Sequence, residues 1–212
     1  MEQAADDTTV RSVLLTGAGP RFCAGGDIAS FAAATDQAAY VHHLATELDA
    51  AFRALAALKK PVVVAVQGSV AGAGLALMLS CDLIVSAPAT KFVFAYPGIG
   101  FTPDCGLSYL LPRAIGQQRA LAFALGGRGM GTSQALDWGL VTEVAENTEA
   151  RAREVATGWA SGPAAAFGET RRLFRAGWEL DRVSMGAEEA RTISRMVEGE
   201  EAQSLIARFV SR

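Results

Sequence analysis

The chain contains 212 residues, of which half are hydrophobic and 19% are charged, a composition typical of one folded domain with a substantial core. The formal net charge of −3 gives no basic surface, so nucleic-acid binding is disfavoured. No apolar run is long enough to cross a membrane and the first ten residues are acidic and polar, so we expect a cytoplasmic protein that does not bind membranes.

The first half of the chain predicts strands that alternate with helices. The run RSVLLTGAG (11–19) indicates a strand that ends in a glycine loop. Residues 35–61 indicate a helix, because apolar residues recur every three or four positions, Thr35 or Asp36 can cap it, and Pro61 blocks its continuation. The continuous apolar run PVVVAVQG (61–68) then predicts a strand buried on both faces.

Further along the chain, the strands become fewer and helices dominate. We expect a helix over 71–82, strands over 83–87 and 91–97, and a short strand over 139–144. Helices are expected over 116–127 and 132–139, the second capped by Thr132 or Ser133. The sequence thus predicts an α/β core over 1–146 and a helical region over 147–212, with a joint between tail helices at 162–168.

Two glycine-rich stretches, CAGGD (23–27) and VAGAGLAL (70–77), each follow a predicted strand. A dinucleotide fingerprint at Gly17-Ala18-Gly19 is disfavoured, because Phe22 stands where the third glycine is needed. Each of the two stretches by itself is better explained as a close-packed turn. Backbone N–H groups from two such loops that converge on one oxygen would form an oxyanion hole.

The sequence gives no indication of a metal site. The three cysteines, Cys23, Cys81 and Cys105, lack metal-ligand spacing and predict free thiols. The only histidines, His42 and His43, lie on an alanine-rich helix with no ligand four residues away.

The ordered blocks of this chain resemble the crotonase superfamily, the enoyl-CoA hydratase/isomerase family. Five segments match, in chain order. They are FCAGGDI, KPVVVAVQGSVAGAGLALMLSCDLIVSAPATKFVFAYPGIG, LPRAIG, ALDWGLVTEV and ARFVSR. The resemblance implies a spiral of ββα units, C-terminal helices that build a homotrimer or a dimer of trimers, and an acyl-CoA thioester substrate. It implies no cofactor other than the coenzyme A that belongs to the substrate.

The resemblance also implies the site residues. The thioester oxygen would lie between the backbone N–H groups of Gly26 and Ala73, with Gly74 as an alternative second donor. Substrate-binding residues would be Phe22, Ala24, Gly25, Asp27, Ile28, Gly72, Gly74, Tyr96 and Pro97. Core packing explains Phe22 and Tyr96 equally well. Asp27 and Asp82 are expected to order loops rather than to take part in catalysis.

Two departures from the family pattern favour isomerisation over hydration. Family hydratases use two glutamates, and the corresponding positions here are Ala76 and Gly98, which cannot transfer protons. Asp104, in FTPDCG, matches the acid that family isomerases use to move a double bond. The alternative interpretation is that Asp104 caps the following helix.

Three other functional hypotheses stay open. Asp104 also matches the nucleophile of aryl-CoA dehalogenases, but Tyr96 stands at that branch's tryptophan position and its histidine is missing. A hydratase that uses another acid is a second possibility. Family members carry a longer segment before the strand at 11–16, so a truncated or shortened, non-catalytic acyl-CoA-binding homologue is the third.

Overall fold

The computed structural model describes residues 2–211, in which seven strands form two small sheets. The strands are β1 (Val13–Thr16), β2 (Val62–Val66), β3 (Ser69–Ala71), β4 (Leu83–Ser86), β5 (Lys91–Val93), β6 (Met130–Gly131) and β7 (Glu143–Val144). The first sheet has the order β1-β2-β4-β7 and is parallel throughout. In the second, β3 pairs with β5 in parallel, and β5 pairs with β6 in antiparallel orientation.

The helices surround these sheets and form the C-terminal region. In chain order they are α1 (Glu2–Asp6), α2 (Ile28–Ala33), α3 (Gln37–Ala57), α4 (Ala73–Leu79), a 3₁₀ turn (Tyr96–Ile99), α5 (Leu107–Ile115), α6 (Gln117–Leu125), α7 (Thr132–Trp138), α8 (Thr148–Ser161), α9 (Ala164–Ala176), α10 (Arg182–Val197) and α11 (Glu200–Val210). The predicted mixed α/β fold with a helical C-terminal region is confirmed. No helix within residues 2–211 is both long and apolar enough to cross a membrane.

Strand β2 lies inside the first sheet, and helices cover both of its faces. All five of its residues are buried, as the continuous apolar run predicted. Successive side chains of a strand point to opposite faces. Val62, Val64 and Val66 therefore join the main core, while Val63 and Ala65 pack with α8 in a second cluster. The division at residue 146 stays a prediction, although α8 already covers one face of the sheet.

Helix α3 begins as predicted, and α7 does not. The Asp36 carboxylate accepts a hydrogen bond from the Ala39 N–H at 3.0 Å and caps α3. The predicted cap at Thr132 or Ser133 is wrong, because Gly131 occupies the N-cap position of α7. The Thr132 hydroxyl instead donates to the Ala87 carbonyl at 2.9 Å, and so it ties α7 to the end of β4.

Two other boundaries differ from the sequence prediction. The strand expected over 91–97 ends at Val93, and the chain turns into the 3₁₀ helix that contains Pro97. The strand ends there because its partner β3 ends at Ala71, the residue that pairs with Val93. The joint expected over 162–168 is confined to residues 162–163, because the alanines that follow Pro163 begin α9.

Asp82 ties β2 to the helical C-terminal region. One carboxylate oxygen accepts from the Val62 N–H at 2.7 Å and from the Arg171 guanidinium at 2.6 Å, and the other accepts from Arg175 at 3.0 Å. The Arg171 side chain is only 6% exposed and also donates to backbone carbonyls at the end of α3. Asp82 thus has the structural role that the sequence predicted.

Replacing Asp82 with alanine is expected to lower the free energy of unfolding by about 3–5 kcal/mol, because Arg171 would stay buried without its carboxylate partner. Urea unfolding followed by circular dichroism measures this loss. The matched control is Asp137→Ala on the exposed surface of α7, which should change the stability by less than about 0.5 kcal/mol. Equal losses in the two variants would contradict this assignment.

Candidate active site

Backbone hydrogen bonds place the two glycine-rich segments side by side. Cys23 pairs with Val70 in a parallel bridge, its carbonyl accepts from the Ala71 N–H at 2.9 Å, and its N–H donates to the Ser69 carbonyl at 3.3 Å. The segment after Cys23 and the segment after β3 therefore leave the sheet at the same place. The Cα of Gly25 lies 3.5 Å from the position that a Cβ on Gly72 would take.

The local geometry explains why these loops carry so few side chains. Gly25 has φ of +95° and Gly72 has φ of +54°, a region that favours glycine. A Cβ on Gly26 would lie 2.5 Å from the ring of Phe31, so a side chain there would require that ring to move. Main chain is thus exposed at this point of the fold.

The N–H groups of Gly26 and Ala73 are among those in these loops that have no internal partner. Ala73 is the first residue of α4, where a helix leaves its N–H groups without intrahelical acceptors. Across residues 2–211, no backbone or side-chain acceptor bonds to the N–H of Gly26 or of Ala73. Both residues line one cavity.

The cavity has a volume of about 680 Å³ and is largely apolar. The glycine loops, α2, α3 and the segment from the 3₁₀ turn to Asp104 form its walls. The lining residues are Cys23, Ala24, Gly25, Gly26, Ile28, Phe31, Val41, Leu44, Ala45, Leu48, Phe52, Gly72, Ala73, Leu77, Ala95, Tyr96, Ile99, Gly100, Phe101, Thr102, Pro103 and Asp104.

The structure brings most of the sequence-predicted site residues into this cavity. They are Ala24, Gly25, Gly26, Ile28, Gly72, Ala73, Tyr96 and Asp104. Residues from three separate parts of the chain thus meet at one site.

Four other sequence-predicted residues lie outside the cavity wall as the structure describes it. Phe22 packs against the main core, and Pro97 lines a neighbouring cavity. Gly74 packs tightly, since a Cβ there would lie 2.5 Å from the Cys23 carbonyl oxygen. Asp27 caps α2 by accepting from the Ala29 N–H and the Ser30 hydroxyl, and these bonds hold the pKa of its carboxyl below the ordinary value.

Asp104 is held by a tyrosine rather than used as a helix cap. The Tyr96 hydroxyl donates to one carboxylate oxygen of Asp104 at 2.6 Å. The alternative interpretation of Asp104 as an N-cap is wrong, because Gly106 occupies the cap of α5 and no side chain bonds there. The left-handed conformations of Cys105 and Gly106, with φ of +52° and +74°, turn the chain between Asp104 and the helix.

The groups beside Asp104 stay protonated at neutral pH. Burial, followed by the hydrogen bond to Asp104, raises the pKa of Tyr96 above its ordinary value, so the phenol remains a donor. Burial and the neighbouring Asp104 carboxylate raise the pKa of Cys105 to about 12, so this side chain remains a thiol. Asp104 is the one carboxylate among the described residues that line the cavity.

Sequence reasoning missed the wall that α3 and Phe31 contribute. The signal was present in the spacing of three and four residues along α3, but this pattern is also the ordinary signature of core packing. At the positions of the family glutamates, Ala76 is fully buried and Gly98 faces open space. Across the described part of the chain, no group of three or more His, Cys, Asp or Glu side chains is arranged to hold a metal ion.

Comparison with known proteins places this geometry in a family. The family model for enoyl-CoA hydratase/isomerase matches residues 1–212. The chain is 39% identical over 168 residues to the 1,2-epoxyphenylacetyl-CoA isomerase of Escherichia coli (strain K12), a match that covers 74% of this chain and 63% of that protein. It is 35% identical over 196 residues to a Rhodobacter capsulatus protein named "Probable enoyl-CoA hydratase", covering 92% of this chain and 74% of the relative.

Solved structures agree with the sequence matches. The crystal structure of an enoyl-CoA hydratase from Polaromonas sp. JS666 superposes with a TM-score of 0.93 at 29% identity, covering 99% of this chain and 83% of the other. The crotonase-like fold inferred from the glycine stretches is therefore confirmed. The chain belongs to the enoyl-CoA hydratase/isomerase family, the crotonase superfamily.

Proposed function

We propose that this protein moves a carbon–carbon double bond within an acyl-CoA thioester, with Asp104 as the single acid and base. One observation supports this above all: a lone carboxylate, bonded to Tyr96, shares a cavity with the unpartnered N–H groups of Gly26 and Ala73. No separate cofactor takes part in this proposal, because coenzyme A is a part of the substrate.

The proposed reaction needs only one proton shuttle. The Asp104 carboxylate takes a proton from the carbon next to the thioester carbonyl, and the electrons of that C–H bond pass to the carbonyl oxygen as an enolate. The enolate then collapses while Asp104 returns the same proton to a carbon further along the chain. The double bond has moved, and no atom has been gained or lost.

The backbone donors would lower the barrier to the enolate. Negative charge on the thioester oxygen is stabilised by N–H groups that are already oriented in an apolar cavity. The bond from Tyr96 holds one oxygen of Asp104 in place, so Tyr96 positions the base.

The alternatives have weaker support in this geometry. Hydration needs a group that activates water, and the buried Ala76 and the open Gly98 supply none. An aryl-CoA dehalogenase of this family would need a histidine in the cavity. His42 and His43 are exposed on α3 and do not line the cavity in the described structure. A non-catalytic acyl-CoA-binding protein would keep the cavity and show no turnover with any thioester.

Replacing Asp104 with asparagine should lower the rate of conversion of a 3-enoyl-CoA to the 2-enoyl-CoA by about 100- to 10,000-fold, because no other carboxylate can replace the shuttle. Acyl-CoA affinity should change little, since the amide keeps the size and the bond with Tyr96. The matched control is Asp49→Asn, because Asp49 lines the neighbouring cavity instead. Full activity of Asp104→Asn, or conversion of crotonyl-CoA by water addition, would refute the proposal.

Replacing Ala73 with proline should lower turnover by about 100- to 1,000-fold, because proline removes the N–H that donates to the enolate oxygen. The first turn of a helix accepts proline, so α4 should form normally. Ala73→Gly keeps the N–H and serves as the control, which should stay active. Spectrophotometric rates and far-UV circular dichroism distinguish these outcomes, and an active proline variant would exclude this donor.

We also propose a homotrimer or a dimer of trimers, assembled through the C-terminal helices. Large apolar side chains there are more than two-thirds exposed, namely Phe174, Val183, Ile193, Phe209 and Val210. Exposed apolar surface of this kind is typical of an interface. Light scattering on the eluted protein should give three or six times the mass of the chain, and a monodisperse monomer would contradict the proposal.

A further inference from the structure

Helix α3 lines the cavity with one continuous apolar face. Its lining residues are Val41, Leu44, Ala45, Leu48 and Phe52, spaced by three and four residues, and this set is named the α3 stripe. An α-helix rises 1.5 Å per residue, so the α3 stripe extends the wall for about 16 Å. A wall of this length exceeds what a four-carbon acyl group can contact.

Different positions along α3 lie beside different parts of the site. In the middle of the helix, an Asp49 carboxylate oxygen lies 3.7 Å from the position of a Cβ on Gly106, two residues after the proposed proton shuttle Asp104. Near its N-terminal end, the ring of Tyr40 lies 6.1 Å from that of Phe31, which in turn lies 6.2 Å from Phe101. The cavity therefore lies alongside α3 from Val41 to Phe52, with the rings of Phe31 and Phe101 nearer the N-terminal end of the helix.

The cavity wall offers no partner for a charged acyl group. Among the described residues that line it there is no lysine, arginine or histidine, and Asp104 is the only carboxylate. An unpaired charge in an apolar cavity is strongly disfavoured. An acyl group that carries a carboxylate would meet no cationic side chain among these residues, and the Asp104 carboxylate would repel it.

We propose that the substrate of this site carries an uncharged, apolar acyl chain of medium length, and that Ala45 sets how much chain the cavity accepts. This inference rests on the proposed function for the position of the thioester at Gly26 and Ala73. Ala45 is the smallest member of the α3 stripe, and it stands between Val41 and Leu48. Its methyl group leaves room in the cavity that a larger side chain at this position would fill.

Binding of saturated acyl-CoA thioesters tests this inference without turnover, because these compounds have no double bond to move. Each methylene that is fully buried strengthens binding by about fourfold. Isothermal titration of the complete chain with butanoyl-CoA and decanoyl-CoA should therefore give an affinity for the longer ester that is higher by about tenfold or more.

The variant Ala45→Leu adds three carbon atoms to the cavity wall. It should weaken decanoyl-CoA binding by about tenfold or more while butanoyl-CoA binding stays close to that of the unchanged protein. Ala50→Leu makes the same change on the exposed face of α3, and it should leave both affinities unaltered. Retained butanoyl-CoA binding also shows that Ala45→Leu is folded.

Equal affinities for the two esters in the unchanged protein would overturn the inference, as would equal weakening of both by Ala45→Leu. Turnover measurements test the proposed function independently of this inference. If turnover is absent but decanoyl-CoA binding depends on Ala45, the assigned acyl class stands and the isomerase proposal falls. If a 3-enoyl-CoA is converted with no dependence on chain length or on Ala45, the isomerase proposal stands and the assigned acyl class is wrong.

Discussion

The hydrogen bonds that join Cys23 to β3 are the contact on which the rest of the site depends. They force two chain segments, far apart in sequence, to leave the sheet side by side with bare main chain between them. The left-handed backbone at Gly25 and Gly72 strongly favours glycine, and a side chain at position 26 would displace the ring of Phe31. The near absence of side chains therefore leaves main chain in the wall of the cavity.

The turn that carries Asp104 completes the site from the opposite side. Two successive left-handed residues, Cys105 and Gly106, separate the carboxylate from α5, so the carboxylate faces Tyr96 and not the helix end. Burial keeps the tyrosine protonated, and the carboxylate accepts its hydrogen bond. One acid that is oriented in this way suits a reaction that removes and returns the same proton.

The scaffold behind the site is held by a different kind of interaction. The carboxylate of Asp82 joins the start of β2 to two arginines of α9, and the buried Arg171 also holds the end of α3. The same helix α3 provides the long apolar wall of the cavity. The ion pair thus fixes the wall indirectly, although none of its members lines the cavity in the described structure.

Local patterns in the sequence determined the buried strand β2, the Asp36 cap and the glycine loops. These features depend on apolar periodicity, on helix capping and on backbone freedom, respectively. The sequence also supplied the residue types of the proposed chemistry. The resemblance to a family added the pairing of Gly26 with Ala73. Only the tertiary structure decided that Asp104 bonds to Tyr96 and does not cap α5, and that α3 lines a cavity instead of a closed core. Those outcomes depend on which distant segments meet, and an apolar stripe has the same spacing whether it faces another helix or a ligand.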